Sequence, residues 1–232
     1  RPQVVRGAID PLGDGRWRVT FPSKVVVEVS APTETEMLAT NALPTLEDGL
    51  WLPVIKEAMG VVLGERNTKK AAIESEALRL NGGSMPRMME HWTGHASRTV
   101  RLEGKAPIDE VRAAITEAIE RKALIGLGTG KEPAGKIPPN HAYAVFGFDA
   151  TTDTLSVWNP WNNDFTPEGE SNRENGFARK DGLSRIPLAD AVQIFRTLFI
   201  ETDKPFDATK PSAKEAAARA RKADDAKAGA KP

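Results

Sequence analysis

Two stretches of the chain alternate polar and apolar residues, and several others repeat apolar residues at helical spacing. Arg16-Trp17-Arg18-Val19-Thr20-Phe21 alternates, and Lys24-Val25-Val26-Val27-Glu28-Val29 does so less cleanly. Pro22-Ser23 between them is turn chemistry, so a hairpin is predicted over 16–30. Ala31 to Pro44 is polar and bounded by proline, which predicts a loop. From Gly49 to Leu63 the apolar residues Leu50, Val54, Ala58, Val61 and Val62 recur on one helical face, with Gly64 as the stop. A second helix is predicted over 68–80, ended by Asn81-Gly82-Gly83, residues that tolerate a left-handed C-cap. A short helix over 86–92 carries Pro86 in its first turn.

The remainder alternates strands and helices. Ser97 to Leu102 is a predicted strand. Pro107 to Lys122 is a helix with Asp109 and Glu110 at its start and Arg121 and Lys122 at its end, which suits the macrodipole. Ala123 to Leu127 is a buried strand, followed by a glycine- and proline-rich loop to Pro139. His141 to Asp149 and Thr154 to Trp158 form a second hairpin. A polar loop from Asn159 to Gly182, a helix from Pro187 to Phe195 and a strand from Thr197 to Thr202 complete the pattern. The expected class is α+β, with an antiparallel, partly barrel-like sheet and helices packed around it. Residues 1–203 form the expected folded unit. After Asp203 the composition turns to alanine, lysine and aspartate, so 204–232 is expected to be a solvated tail or linker.

Composition narrows the function classes. Of 232 residues, 40% are hydrophobic, enough for a substantial core. Lysine plus arginine and aspartate plus glutamate balance at 32 each, which argues against a nucleic-acid partner. No apolar run approaches bilayer length, so no membrane span is expected. The chain opens on Arg1-Pro2-Gln3, without an initiator methionine or a signal-peptide core, and is expected to begin within a longer protein. It holds no cysteine, which excludes disulfides and thiolate metal sites.

The chemistry concentrates in Asn140-His141-Ala142-Tyr143-Ala144-Val145 and Val157-Trp158-Asn159-Pro160-Trp161. A histidine opens one strand of the second hairpin and an asparagine ends the other. An antiparallel pair places such ends within side-chain reach. The asparagine oxygen then accepts from one imidazole nitrogen and leaves the other aimed at a nucleophile. Pro160 ends the strand, and Trp161 is placed to cover the pair.

The pairing of His-Ala-Tyr with Asn-Pro-Trp resembles the calpain branch of papain-like cysteine peptidases. So do Gly49-Leu50-Trp51-Leu52-Pro53, the glycine turns at Asn81-Gly82-Gly83-Ser84 and Trp92-Thr93-Gly94, the strand Ala123-Leu124-Ile125-Gly126 with the loop after it, and Ile186 to Phe195. The resemblance covers roughly Arg16 to Thr202. It implies a papain-like fold, peptide-bond hydrolysis of a polypeptide substrate, His141 as general base and acid, Asn159 as its orienter, and Gly82, Gly83, Gly94 and Trp161 lining the binding cleft. In papain-type enzymes the cysteine precedes the histidine and asparagine by about 130–150 residues. Counting back from His141 reaches the start of this chain, where nothing resembles the cysteine-bearing helix. The nucleophile-bearing segment is therefore expected upstream or on a separate chain cut from the same precursor, with an exposed apolar patch left beside His141. The alternative is a catalytically dead papain-like module used for binding or regulation.

Four lesser readings follow. Gly94-His95 stands where the family more often has two glycines, and His95 adds bulk there. The family's calcium binding implies a calcium site, and the loop acids Asp164, Glu168, Glu170, Glu174 and Asp181 offer oxygens without calcium-loop spacing. His91 and His95 are expected to be two exposed histidines of a turn, since Gly94 weakens a helical metal pair and no third ligand is evident. Gly126, Gly128, Gly130 and Lys131 lack the glycine and the Ser or Thr of a phosphate loop, and are expected to be loop.

Overall fold

The computed structural model describes residues 5, 7–31, 33–34, 50–64, 84–102, 106–133 and 136–209. The expected helix over 68–80, the turn at Gly82 and Gly83, and the tail from Lys210 lie outside the described residues. Among the described residues the chain is mixed α+β, with four helices and two antiparallel sheets.

The first sheet has strands β1 (Ile9–Gly13), β2 (Arg16–Thr20) and β3 (Val26–Ser30), in that order. The predicted hairpin is β2–β3, with Trp17 opposite Val29 and Val19 opposite Val27. β1 was not anticipated, because Pro11 and Gly13 disguise it; its pairing with β2 shifts register at that point. Helix α1 (Trp51–Gly64) lies on this sheet. Its buried residues Val54, Ile55, Ala58 and Met59 meet Val19, Phe21, Val27 and Val29 in one apolar cluster.

The second sheet is built from β4 (His95–Arg101), β5 (Ile125–Gly128), β6 (Ala142–Asp149), β7 (Thr154–Trp158), β8 (Arg179–Lys180), β9 (Leu183–Pro187) and β10 (Thr197–Pro205). Its order is β4-β10-β5-β6-β7-β9-β8. Among the described residues β4 and β8 are the edge strands, so the sheet does not close into the partial barrel expected. Two further helices, α3 (Ile108–Glu120) and α4 (Leu188–Ile194), cover one face. Val111, Ile115 and Ala118 of α3 join Leu188, Ala191, Val192 and Ile194 of α4, with Leu127, Leu155 and Leu198 from the sheet. Asp109 and Glu110 do occupy the first turn of α3. Arg121 and Lys122, however, follow the helix rather than closing its last turn, and Lys122 is left-handed at φ 56. β9 was also unforeseen. Its buried positions are Ser184 and Ile186, and a serine on the inward face hides the alternation.

Helix α2 (Met85–Thr93) joins the two cores. Trp92 packs edge-on to Phe21, 5.0 Å between centroids, and His91 lies between Phe21 and Phe206. Of the two histidines expected to be exposed, His91 is not, and His95 is partly exposed but paired. His91 is buried, with Nδ1 2.9 Å from the Ser23 hydroxyl. His95 Nδ1 lies 2.8 Å from the carboxylate of Glu201, itself buried and also accepting from the Leu124 N–H. β10 runs to Pro205, and Phe206 packs beneath Arg87 at 5.0 Å, so the ordered chain continues past Asp203.

Candidate functional site

The site is built by the β6–β7 hairpin and the turn after it. Pairing of Ala144 with Trp158 and of Val145 with Val157 carries the start of β6 alongside the end of β7. Asn159 follows β7 with its side chain almost wholly buried. Its N–H donates to the Gly182 carbonyl, 2.8 Å. The next residues fold back at once. Pro160 presets the turn, the Asn162 N–H donates to the Asn159 carbonyl at 3.0 Å, and the Trp161 N–H donates to Asn159 Oδ1 at 3.1 Å. Asn-Pro-Trp thus encodes a turn that closes on its own asparagine.

His141 Nε2 lies 2.8 Å from Asn159 Oδ1. The Trp161 N–H is a fixed donor to that same atom, so the atom is the amide oxygen and not the nitrogen. An amide oxygen only accepts, and Nε2 must therefore carry the proton. Nδ1 is left as the basic nitrogen, and no described residue bonds it. Two aromatic rings hold the imidazole. Trp161 lies against its face at 4.2 Å between centroids, and Tyr143 meets it edge-on at 4.9 Å. Trp161 lies over the pair as expected, with the indole still 59% exposed. The predicted juxtaposition of His141 and Asn159 holds as geometry.

Other expected site residues are elsewhere. Gly94 caps α2 in the left-handed conformation, φ 74, and a Cβ there would stand 2.9 Å from the Pro22 carbonyl oxygen. Its own carbonyl accepts from Phe206. Among the described residues no hydrogen bond or ring contact joins it to His141, and its visible role is to seat α2 on the β2–β3 turn. Trp158 is half-buried and stacks on exposed Phe146, 5.8 Å apart with planes 9° from parallel. With half-exposed Leu183 they border an open apolar cleft. Alternation along β6 and β7 puts that cleft on the sheet face opposite Val145 and Val157. Of the exposed large apolar side chains among the described residues, Trp161 is the one in ring contact with His141. The loop acids do not converge: Asp164 accepts from the Asp181 N–H, and among the described residues no group of three metal-ligating side chains forms. They do not fit a calcium site.

Two features here escaped the sequence. The hydroxyl of Thr129 grips the main chain of His141, a contact between the loop's two ends. The Tyr143 hydroxyl is buried without a partner among the described residues. Tyr143 lines a small cavity together with Lys136, Asn159, Arg179 and Ser184. Burial pushes its pKa up to about 12, opposed by the positive charge of Arg179. The charged form is the deprotonated one, so the sign is fixed. Stability is intact below the ordinary tyrosine value of about 10 and is lost as pH rises from there through the folded value. The chain has a single tyrosine, so absorbance titration reads it directly. The folded chain should titrate near pH 12 and the urea-unfolded chain near 10, with Tyr143→Phe abolishing both steps; a folded midpoint at 10 would show the ring solvated.

No family model matches the chain, and no curated protein is similar to it.

Proposed function

We propose that the His141–Asn159 pair is the base-and-orienter half of an acyl-transfer site of the papain type. Within that class the chain is read as part of a calpain-like cysteine endopeptidase acting on a polypeptide substrate. The observation that carries this reading is the 2.8 Å contact of Nε2 with Asn159 Oδ1, its tautomer dictated by the Trp161 N–H. Nδ1 takes the proton of a thiol, and the thiolate attacks the peptide carbonyl. The imidazolium, steadied by the Asn159 oxygen, then returns the proton to the leaving amine. A thioester remains, and water activated by the same nitrogen hydrolyses it. Because the chain contains no cysteine, the thiol comes from another polypeptide segment.

A second reading follows from that same absence. The pair belongs to a papain-like module that binds or regulates and never acquires a nucleophile. Either reading requires the chain alone to be inert. Incubation with a fluorogenic peptidyl amide is expected to give no release above buffer. Turnover that copurifies with the chain and survives thiol-blocking reagents would remove His141 and Asn159 from these roles, since no thiol is present to be blocked. Restored turnover on supplying a thiol-bearing segment separates the peptidase from the inert module.

A further inference from the structure

The residue that fixes His141 in register lies outside the His–Asn pair. Thr129 directly follows β5, whose last ladder partners are Gly128 and Ala142. The Thr129 N–H donates to the His141 carbonyl at 2.9 Å. In a regular antiparallel pair the His141 N–H would return the bond to the Thr129 carbonyl. Here it donates instead to the Thr129 hydroxyl, 2.8 Å away. That hydroxyl has one proton of its own, which it gives to the Pro138 carbonyl at 2.8 Å. One buried side chain therefore holds the main chain of His141 and the far end of the loop that leads into it. Asn140, left-handed at φ 49, completes the entry with its N–H on the Gly130 carbonyl at 2.8 Å.

The substitution of a side-chain acceptor for a main-chain one has a geometric result. The hydroxyl accepts from a different direction than the main-chain carbonyl would, so the regular reciprocal ladder bond is replaced where His141 begins. The direction in which the His141 Cα presents its ring is then set by that hydroxyl. The ring is trapped between Tyr143 and Trp161 and has only its backbone left to move with.

We propose that Thr129 is a positioning residue for His141: its hydroxyl holds the His141 main chain so that Nε2–H meets Asn159 and Nδ1 faces outward. This rests on the His–Asn reading above. The test is nitrogen-resolved NMR of the imidazoles in the full chain, which holds three histidines, with His141 assigned by His141→Gln. Wild type is expected to show His141 as the Nε2–H tautomer, and Thr129→Ser to match it. In Thr129→Val the shape is kept and the hydroxyl is lost. There His141 should become a mixture of tautomers, with its amide exchanging about tenfold faster, the scale of one lost hydrogen bond. The His91 signals should not change, since His91 is held by Ser23. A valine variant with wild-type tautomer and exchange overturns the role of Thr129 and leaves the His–Asn reading standing. A wild type without the Nε2–H tautomer overturns that reading itself. If the valine variant fails to fold, Thr129→Ala against Thr129→Ser is read with the same probe. Loss of the His91 signals in the alanine variant as well marks Thr129 as a general fold residue and overturns the proposal.

Discussion

Replacing His141 with alanine is expected to lower kcat/KM of the thiol-supplied peptidase by about 10²–10⁴-fold, the range that a positioned general acid–base group contributes. The ring is the proton carrier in both halves of the proposed reaction, so nothing else in the pair can replace it. Asn159→Ala should cost less. The imidazole would keep its Nδ1 but lose the acceptor that selects its tautomer, and Trp161 and Tyr143 would still clasp it. The expected ordering is thus wild type, then Asn159→Ala, then His141→Ala, read from turnover of a fluorogenic peptidyl amide with thermal melting as the control for folding. His141→Ala activity within tenfold of wild type, at an unchanged melting temperature, would assign the base to another group.

The largest expected loss of stability near the site comes from Gly182→Ala. Gly182 has φ +77, a conformation that costs a residue with a Cβ about 1–2 kcal/mol. The added Cβ would also stand 2.7 Å from the Asn159 carbonyl oxygen and 2.8 Å from Trp158 Nε1. The first neighbour is backbone and cannot step aside without moving the turn, so an overpacking cost of about 1–3 kcal/mol adds to the first. A total of about 2–5 kcal/mol is expected from urea unfolding at unchanged m-value. The damage should not stay local. The Gly182 carbonyl receives the Asn159 N–H, so displacing it moves the orienter, and the tautomer of His141 should change with it. Gly182→Asn separates the two costs, because asparagine tolerates the left-handed conformation but still brings a Cβ. A Gly182→Ala chain as stable as wild type would mean that the loop before β9 does not bear on Asn159.

How much of this was legible depended on how far apart in sequence the cause lay. The β2–β3 and β6–β7 hairpins were readable because alternation and turn residues occur in one stretch. The helix starts were readable from apolar spacing, proline in the first turn of α2 and acids in the first turn of α3. The Asn-Pro-Trp turn was readable for the same reason, since the accepting asparagine oxygen, the proline and the donating N–H are consecutive. β9 was missed because its inward face includes Ser184, and β1 because Pro11 and Gly13 break its pattern.

The sequence by itself determined the α+β class, the hairpin that brings a histidine to an asparagine, the turn that lays Trp161 over them and the absence of a thiol. Local hydrogen bonding and side-chain alternation are sufficient for each of these. Only the tertiary structure decided that the larger sheet stays open, that His91 is buried against Ser23, that Glu201 reaches His95, and that Thr129 and Gly182 hold the two halves of the site. Apart from the open sheet, each of those depends on a polar group finding a partner distant along the chain. A buried donor or acceptor must be satisfied by whatever the fold brings near it, and that neighbour is not encoded next to it.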